Sequence, residues 1–177
     1  MARTRADWQK QCQQAYQDAV VAGETFARIP LSRGKSTLID LCDFERVRDS
    51  GPWHAAWRGG YYAANNKTYL HRVLLNAPAD MEVDHRNFDT LDNRRKNLRL
   101  ANHAQNQAHQ RKQPGGSSRY IGVHWDPVNG KWRAQIKKLG KRYCLGRYDK
   151  EIDAAHAYQR AANKIHGAFA PVQDGLK

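Results

Sequence analysis

Four polar residues, spread over about two dozen positions, constrain the middle of this chain more than any other feature. Asp84 and His85 close a strand-like run at residues 81–83. Asn97 opens a second stretch with alternating apolar residues, and Asn106 lies in a polar segment with helical spacing. The pattern predicts a strand, a loop, a second strand and a helix, in that order.

These four side chains offer the groups that phosphodiester hydrolysis requires, which are a base for the attacking water and a Lewis acid for the leaving oxygen. His85 is predicted as the general base, because an unperturbed imidazole titrates at about 6.5 and is available in its neutral form near pH 7. Asp84 and Asn106 are predicted as hard oxygen ligands for Mg²⁺ or Mn²⁺. Asn97 would either brace the loop that carries His85 or orient the imidazole. An isolated Asp-His pair is more often part of a turn, so the prediction depends on all four residues together.

Residues near the quartet leave alternatives open. His103 and His109 lie three positions either side of Asn106, so one of them can be the ligand instead, or both can face solvent or phosphate. Asp89 and Asp92 are expected to shape the loop by turn hydrogen bonds, with direct metal contact as the less favoured alternative.

The order of Asp84-His85, Asn97 and Asn106 resembles that of the HNH endonucleases, whose fold wraps two strands and a helix around one metal ion. The sequence of residues 92–99 also resembles that of phage and intron-encoded members. The last ligand position holds Asn106 rather than His, which favours Mg²⁺ or Mn²⁺ over zinc or nickel, because an amide oxygen is a weak ligand for softer metals.

The resemblance extends to residues 69–72 and suggests further contacts. It makes Arg72 a candidate for phosphate contact and His71 a candidate for packing against the active site. Arg94 and Arg95, in the predicted loop between the two strands, are also predicted to contact DNA. No structural zinc is expected, because Cys12, Cys42 and Cys144 are too far apart for a C-x-x-C knuckle, and they do not form a disulfide framework either.

Runs of glycine, proline and serine divide the chain. Residues 114–118 are predicted as a flexible linker. The predicted organisation is a helical segment at 1–34 with a helix over 4–22, a nuclease domain at 35–113, the linker, a DNA-binding domain at 119–172 and a tail at 173–177.

The predicted fold class is α+β. Strand-like runs at residues 37–40, 61–63 and 67–72, punctuated by turns, predict a small antiparallel sheet before the ββα-metal nuclease motif. Beyond the linker, runs at 120–125, 131–137 and 141–148 predict a three-stranded antiparallel sheet. It would pack on one helix, which Asp149 caps and which ends before Gly167.

The middle strand of that sheet separates charge from core. Basic and polar side chains at 131, 133, 135 and 137 alternate with Trp132, Ala134 and Ile136. Because strand side chains alternate between faces, one face is predicted to be cationic and the other to be core.

This second domain resembles the Apetala or ethylene-response-factor DNA-binding domain over nearly all of residues 118–172, as shown by Tyr120, Gly122, Val123, Leu145-Gly146 and the run 154–158. That family lays its sheet into the DNA major groove, so double-stranded DNA is the implied partner. Plant members carry Arg where this chain has Ile121 and His124, so their target sequence is not transferred. Trp132 and Tyr158 are expected in the core. The candidate contacts are His124, Trp125, Lys131, Arg133, Gln135, Lys137, Arg142 and Arg147.

The charge distribution agrees with a polyanionic partner. The chain carries a net charge of +13, which favours nucleic acid binding. Residues 119–177 carry 12 Lys or Arg against five Asp or Glu, whereas residues 1–84 carry 11 against ten. The sequence also lacks a signal-peptide pattern and any apolar run near the ~20 residues that span a bilayer. We therefore expect an intracellular protein with no membrane contact and no obligate protein partner.

These observations favour a metal-dependent, site-specific DNA endonuclease of the homing type. The resemblance to phage and intron-encoded members implies action in a bacterial host cytoplasm. The alternative is a DNA-binding transcriptional regulator that retains an inactive HNH scaffold. A structural or RNA-binding role is disfavoured, because the predicted sheet face offers few aromatic side chains for stacking on single-stranded bases.

Overall fold

The computed structural model describes residues 4–112, 114–138, 140–173 and 175–176. The chain forms two compact units, Met1–Asn102 and His103–Lys177. Both contain helices and small antiparallel sheets, so the mixed α and β character predicted from the sequence is confirmed.

The first unit begins with helix α1 (Arg5–Val21), as predicted for residues 4–22. Thr4 and Asp7 form a capping box at its start, which satisfies backbone N–H groups that the first turn cannot. Trp8 is buried, and its indole Nε1 donates to the carbonyl of Pro30 at 2.9 Å. The N-terminal helix is therefore part of the core of the first unit.

Three antiparallel strand pairs and two short helices follow α1 in the described part of the first unit. The pairs are β1 (Phe26–Pro30) with β2 (Ser36–Asp40), β3 (His54–Trp57) with β4 (Tyr61–Ala64), and β5 (Glu82–His85) with β6 (Leu98–Ala101). Helix α2 (Phe44–Ser50) and helix α3 (Leu70–Leu75) lie between them in sequence. Strands β2 and β4 were predicted, whereas β1, β3 and α2 were not. The β1–β2 hairpin spans the boundary that was predicted after residue 34.

Helix α3 corrects the strand that was predicted over residues 67–72. Leu70, His71 and Leu74 are all buried, at the spacing with which a helix presents one face to a core. Asn76 ends the helix in the left-handed conformation, with φ 49°. The burial of this face, rather than the local strand-like composition, decides the structure.

One hydrophobic core joins the elements of the first unit. Leu98 of β6 belongs to it, so the strand pair that carries Asp84 and His85 is anchored on this core. The core residues include Trp8, Ile29, Ile39, Phe44, Val47, Trp53, Leu70 and Leu74.

The second unit is a three-stranded sheet packed on a helix, as predicted. It contains helix α4 (His103–Ala108), strands β7 (Val123–Asp126), β8 (Lys131–Lys138) and β9 (Lys141–Tyr148), and helix α5 (Glu151–His166). The strands pair in the antiparallel order β7-β8-β9, and α5 contacts all three.

The first strand of this sheet begins later than predicted. It starts at Val123 instead of residue 120, because Gly122 adopts φ +70°. A Cβ at Gly122 would lie 2.1 Å from the ring of Tyr158, so only glycine fits at this position.

Two details at the start of α5 also differ from prediction. Lys150 holds the N-cap position, with no side-chain cap, and the carboxylate of Asp149 instead pairs with Lys131 Nζ at 3.2 Å. Ser118, which was assigned to the linker, donates from Oγ to Glu151 Oε1 at 2.6 Å and is buried. Ser117 accepts from the backbone N–H of Trp125 at 2.8 Å.

The division between the units falls after Asn102, whereas the predicted linker lies at 114–118. Helix α4 contacts the 3₁₀ turn Gly167–Phe169 within the second unit. Among the described residues, no helix is long and apolar enough to cross a membrane.

Candidate active site

The strand pair β5–β6 carries the predicted Asp-His pair at the end of its first strand. Asp84 lies opposite Arg99, and His85 lies opposite Leu98. Asp84 is 6% exposed and His85 4% exposed. The two polar side chains are therefore buried, where each needs a specific partner.

Asp84 forms a buried ion pair across the strands. Arg99 Nε donates to Asp84 Oδ2 at 2.7 Å, and Arg99 Nη2 lies 2.6 Å from the same oxygen. Both side chains are less than one-tenth exposed. Removing either partner would deprive a buried charge of this counter-charge, which makes the pair a strong constraint on this site.

Asn97 braces the loop between the two strands. Its Oδ1 accepts from the backbone N–H of Asn87 at 2.9 Å, and its Nδ2 donates to the carbonyl of Asp92 at 2.7 Å. The side chain thus ties both halves of the loop to the start of β6. Of the two roles that the sequence left open for Asn97, these contacts match the bracing role.

The two aspartates of the loop make the predicted turn contacts. Asp89 Oδ1 accepts from the backbone N–H of Leu91 at 3.0 Å. Asp92 accepts from Asn87 Nδ2 at 3.0 Å, and Arg94 binds both of its carboxylate oxygens at 2.7 Å. The Arg94 contact lowers the pKa of Asp92 below its ordinary value. The loop is therefore held by several side-chain contacts.

A hydrogen-bonded series of two buried side chains, Asn93 and Thr37, orients His85. His85 Nε2 lies 3.2 Å from Asn93 Oδ1, Asn93 Nδ2 donates to Thr37 Oγ1 at 2.7 Å, and Thr37 Oγ1 donates to the carbonyl of Leu91 at 2.8 Å. Asn93 and Thr37 are fully buried. Strand β2 supplies Thr37, so a residue far away in sequence supports the predicted base.

The donor and acceptor of each of these hydrogen bonds follow from the last one, between Thr37 and Leu91. Two oxygens at 2.8 Å require a hydrogen between them, and only the Thr37 hydroxyl can supply it to the Leu91 carbonyl. Thr37 Oγ1 therefore accepts from the amide nitrogen of Asn93, and the amide oxygen faces the imidazole. An oxygen in that position requires Nε2 of His85 to carry the proton. Among the described residues, no hydrogen bond reaches Nδ1 of His85, whose lone pair is then available as a base.

Two aromatic rings pack near His85. The His71 ring lies 5.2 Å from it, edge to face, and the Tyr62 ring lies 6.3 Å away. Tyr69 stacks on His71 at 5.4 Å. His71 thus packs against the predicted base, as one of its suggested roles required.

Burial sets the protonation of both histidines. Burial lowers the pKa of His85 below 6.5, although the Asn93 contact and the carboxylates of Asp84, Asp89 and Asp92 oppose the shift. Burial, together with the electrostatic influence of His85 and Arg72, lowers the pKa of His71 to about 3. Both imidazoles are therefore neutral near pH 7, and a neutral imidazole is the form that can accept a proton.

The donor set near Asp84 suits a hard cation in its chemistry. It offers a buried carboxylate oxygen, although Arg99 already supplies a positive charge to that oxygen. Asn106 lies on helix α4, flanked by His103 at its start and by His109 just past its end. Within the described residues, no group of three or more His, Cys, Asp or Glu side chains is placed to hold a metal ion. The assignment of Asp84 and Asn106 as ligands stays a prediction.

The arginines that were predicted to contact DNA in the first unit are engaged within the protein. Arg72 donates to the carbonyls of Met81 and Pro78, both at 2.7 Å. Arg94 binds Asp92, and Arg95 binds Asp43 through two contacts of 2.8 and 2.6 Å. Their contact with phosphate stays a prediction, in competition with these bonds.

The sheet of the second unit has the predicted cationic face. Register places His124, Arg133 and Arg147 side by side across the three strands. A β-bulge between Ala134 and Gln135 shifts the pairing, so that Lys137 lies opposite Arg142. The buried residues Ala134 and Ile136 occupy the other face, as predicted.

Trp125 differs from the other predicted contacts. It lies opposite Trp132, on the face of the sheet that was predicted as core, and the two rings pack edge to face at 5.1 Å. It is nevertheless 41% exposed. A DNA contact from Trp125 would therefore come from the end of the sheet rather than from its cationic face.

Internal partners fix part of the cationic face. Arg133 Nε donates to His124 Nε2 at 2.7 Å, and Arg147 Nε donates to Asp126 Oδ2 at 2.8 Å. The Arg147 contact, with help from Asn129, lowers the pKa of Asp126 to about 2. The DNA contacts predicted for Arg133 and Arg147 stay predictions, in competition with these bonds.

Sequence analysis missed Thr37, Asn93 and Arg99. Arg99 could have been found, because the pairing that sets His85 opposite Leu98 also sets Asp84 opposite Arg99. Thr37 and Asn93 are separated by 56 positions, and no local pattern connects them.

Two family models match parts of the chain. Residues 76–108 match the model of the HNH endonuclease, and residues 118–168 match the model of the AP2 domain. The chain thus combines an HNH region with a C-terminal AP2 domain, which confirms both resemblances. The first match contains the β5–β6 strand pair and α4, and the second contains the three-stranded sheet and α5.

Curated relatives match the AP2 region. The chain is 40% identical over 60 residues to APETALA2-like protein 2 of Oryza sativa subsp. indica, which is 34% of this chain and 14% of that protein. It is 41% identical over 56 residues to AP2-like ethylene-responsive transcription factor TOE2 of Arabidopsis thaliana, which is 32% of this chain and 12% of that protein. The chain therefore spans only a small part of these relatives. No solved structure matches the chain.

Proposed function

We propose that this protein is a metal-dependent, site-specific DNA endonuclease of the HNH class. The observation that carries the proposal is the buried His85, held by Asn93 and Thr37 with Nδ1 left as the basic nitrogen, within the region that matches the HNH model. Strands β5 and β6 would be the two strands of a ββα-metal motif, and α4 follows them in sequence as its helix.

Each site residue would have a distinct role. His85 Nδ1 would accept the proton of the attacking water, and burial keeps the ring in the neutral form that this step needs. Asn97 would hold the loop so that His85 keeps its position. A divalent cation, Mg²⁺ or Mn²⁺, bound by Asp84 and by the predicted ligand Asn106, would supply charge stabilisation for the leaving oxygen.

The second unit would recognise DNA. Its cationic sheet face, with Arg133, Lys137, Arg142 and Arg147, would lie against the major groove, as in the family that its sequence matches. Phosphate contacts would supply affinity, and fewer base contacts would supply selectivity. The catalytic region would lie within residues up to 113 and the recognition module within 119–172. Their combination is typical of homing endonucleases encoded by phages or introns, and it would act in a bacterial host cytoplasm.

A regulator with an inactive HNH scaffold is the second candidate. The ion pair of Asp84 with Arg99 favours it, because a guanidinium already neutralises the carboxylate that a metal would use. Against it stands the neutral, oriented His85, which a scaffold without catalysis does not require.

Cleavage of a supercoiled plasmid that carries the source genome region tests the proposal. We expect nicked or linear product with Mg²⁺, no product with EDTA, and a loss of about 100-fold or more in rate for His85→Ala. His156→Ala, on helix α5, is the matched control and should cut like the parent. Salt-sensitive duplex binding without any cleavage would contradict the endonuclease hypothesis and favour the regulator.

A further inference from the structure

The first unit carries positive charges that no internal partner uses. The side chains of Arg33, Arg58 and Lys67 are exposed. Among the described residues they make no ion pair or side-chain hydrogen bond, in contrast to Arg72, Arg94 and Arg95. These charges remain available to an external anion.

The three cations lie around one groove. They line an open depression of about 480 Å³ together with His54 and Trp57, and no carboxylate is among its lining residues. Arg33 comes from the turn between β1 and β2, Arg58 from the turn between β3 and β4, and Lys67 from the segment after β4. Three separate segments therefore direct positive charge to one place.

The segments that carry these cations are ordered by specific contacts. Asn65 Oδ1 accepts from the backbone N–H groups of Lys67 at 2.9 Å and Thr68 at 2.8 Å. Asn65 Nδ2 donates to the carbonyl of Ser50 at 3.0 Å, which ties the Lys67 turn to the end of α2. Lys67 thus projects from a fixed turn.

The groove also has one exposed aromatic wall. Trp57 is 59% exposed and is held edge to face by Tyr61, with ring centroids 4.9 Å apart. A single indole can pack against a sugar face, whereas proteins that bind single strands stack successive bases on several aromatic side chains. The lining contains only one other aromatic residue among the described positions, the partly buried Tyr69, so three cations around one exposed indole suit a phosphate and sugar backbone.

We infer that this basic groove, formed by Arg33, His54, Trp57, Arg58 and Lys67, binds the backbone of double-stranded DNA as a contact surface additional to the sheet of the second unit. The inference extends the proposed DNA binding and does not depend on cleavage. Charge complementarity carries it, because each phosphate that a cation neutralises releases condensed counterions and strengthens binding.

Salt-dependent binding of the full chain to a labelled duplex of random sequence, in EDTA, tests the inference. The test variant is Arg58→Gln with Lys67→Gln. Its matched control is Arg28→Gln with Lys10→Gln, which removes one Arg and one Lys from other exposed positions of the first unit. Thermal unfolding of all proteins checks that the substitutions leave the fold intact, as expected for exposed side chains.

We expect the slope of log affinity against log salt to decrease by about 1.8 in the groove variant, since each lost phosphate contact removes about 0.9. This change corresponds to about 60-fold weaker binding at about 0.1 M salt. The control should change far less. Trp57→Ala should weaken binding several-fold with an unchanged slope, because it removes packing but no charge.

Equal slopes for the groove variant and its control would overturn the inference. So would a loss confined to single-stranded DNA, because the groove would then serve a different ligand. The plasmid assay is separate from this one. A changed slope in a protein that does not cut DNA would support the groove and contradict the endonuclease. An unchanged slope in a protein that cuts DNA would contradict the groove and support the endonuclease.

Discussion

Asn93 offers the sharpest test of the site, because its side chain joins the predicted base to strand β2. Asn93→Leu removes the acceptor for His85 Nε2–H and the donor to Thr37. Thr37 keeps its bond to the carbonyl of Leu91, so the main unsatisfied group is the buried imidazole N–H. Leaving such a group unpaired costs about 1–3 kcal/mol, and we expect the free energy of unfolding to fall by about 2 kcal/mol.

The tautomer of His85 is the direct readout. Nitrogen NMR of histidine-labelled protein near neutral pH distinguishes a protonated ring nitrogen from an unprotonated one. In the parent we expect the proton on Nε2 of His85, and in Asn93→Leu a mixture of both tautomers. Because the base would then be oriented only part of the time, plasmid cleavage should slow by about 10- to 100-fold, the range seen when a residue that orients a site histidine is lost.

Asn93→Asp separates orientation from charge. A carboxylate still accepts from Nε2, so the tautomer should be retained. A buried negative charge beside the imidazole should raise the pKa of His85, and the acid limb of the pH–rate profile should then move to higher pH. Asn163→Leu replaces an exposed asparagine of α5 and should change none of these measurements.

Two outcomes would refute the reasoning. A parent protein with the proton on Nδ1 of His85 would reverse the direction of the hydrogen-bond chain. An Asn93→Leu variant with the parent's tautomer and unfolding free energy would show that Asn93 does not hold His85 at all.

Three further variants test other parts of the structure. Arg99→Met should lower the free energy of unfolding by about 3–5 kcal/mol in urea denaturation, because buried Asp84 loses its guanidinium counter-charge; a loss below about 1 kcal/mol would contradict the buried pair. His71 is neutral in the folded protein, with a pKa of about 3, but titrates near 6.5 when unfolded, so it should remove about 2 kcal/mol of stability as pH falls from about 6.5 to about 5. His71→Phe should lose that part of the pH dependence, and an unchanged dependence would rule out a buried neutral His71. Gly122→Ala should cost about 3 kcal/mol, through its positive φ and a clash with an aromatic ring, whereas Gly130→Ala, at a similar φ but in open space, should cost about 1 kcal/mol in the same assay.

The second unit was predictable because its local signals agree with its packing. Polar and apolar residues alternate through β8, and the glycines at 130 and 140 mark the turns that follow β7 and β8. The cationic face follows from that alternation alone. The predicted strand start was wrong at Gly122, where the ring of Tyr158, on another element, requires a glycine.

Helix α3 shows why the first unit was harder to predict. The run at 67–72 contains Thr68 and Tyr69, residue types that are enriched in strands, which favours a strand. The structure buries both Leu70 and His71, because a core made by α1, α2 and the hairpins accepts that face. No window of local sequence contains the residues that form this core.

The candidate active site contains both predictable and unpredictable features. Asp84, His85 and Asn97 were predictable, because strand ends and a loop of suitable length bring them near one another. The support of His85 was not, because Thr37 comes from a different hairpin and is joined to the loop by β2. Leu38 pairs with the loop through backbone bonds to Leu91 and Asn93, both 2.9 Å, which is what delivers Thr37 to Asn93.

Charge near the predicted base differs in kind from charge on the proposed DNA-binding surfaces. Asp84 and Asp92 are each paired with an arginine, and His85 is neutral. Such a neutralised centre exerts little long-range attraction on DNA. Residues 119–177 carry a net charge of +7, and the basic groove adds unpaired cations to the first unit. Affinity and its salt dependence would then arise on surfaces away from His85, whereas the step at His85 would depend on burial and hydrogen-bond direction, which salt screens weakly.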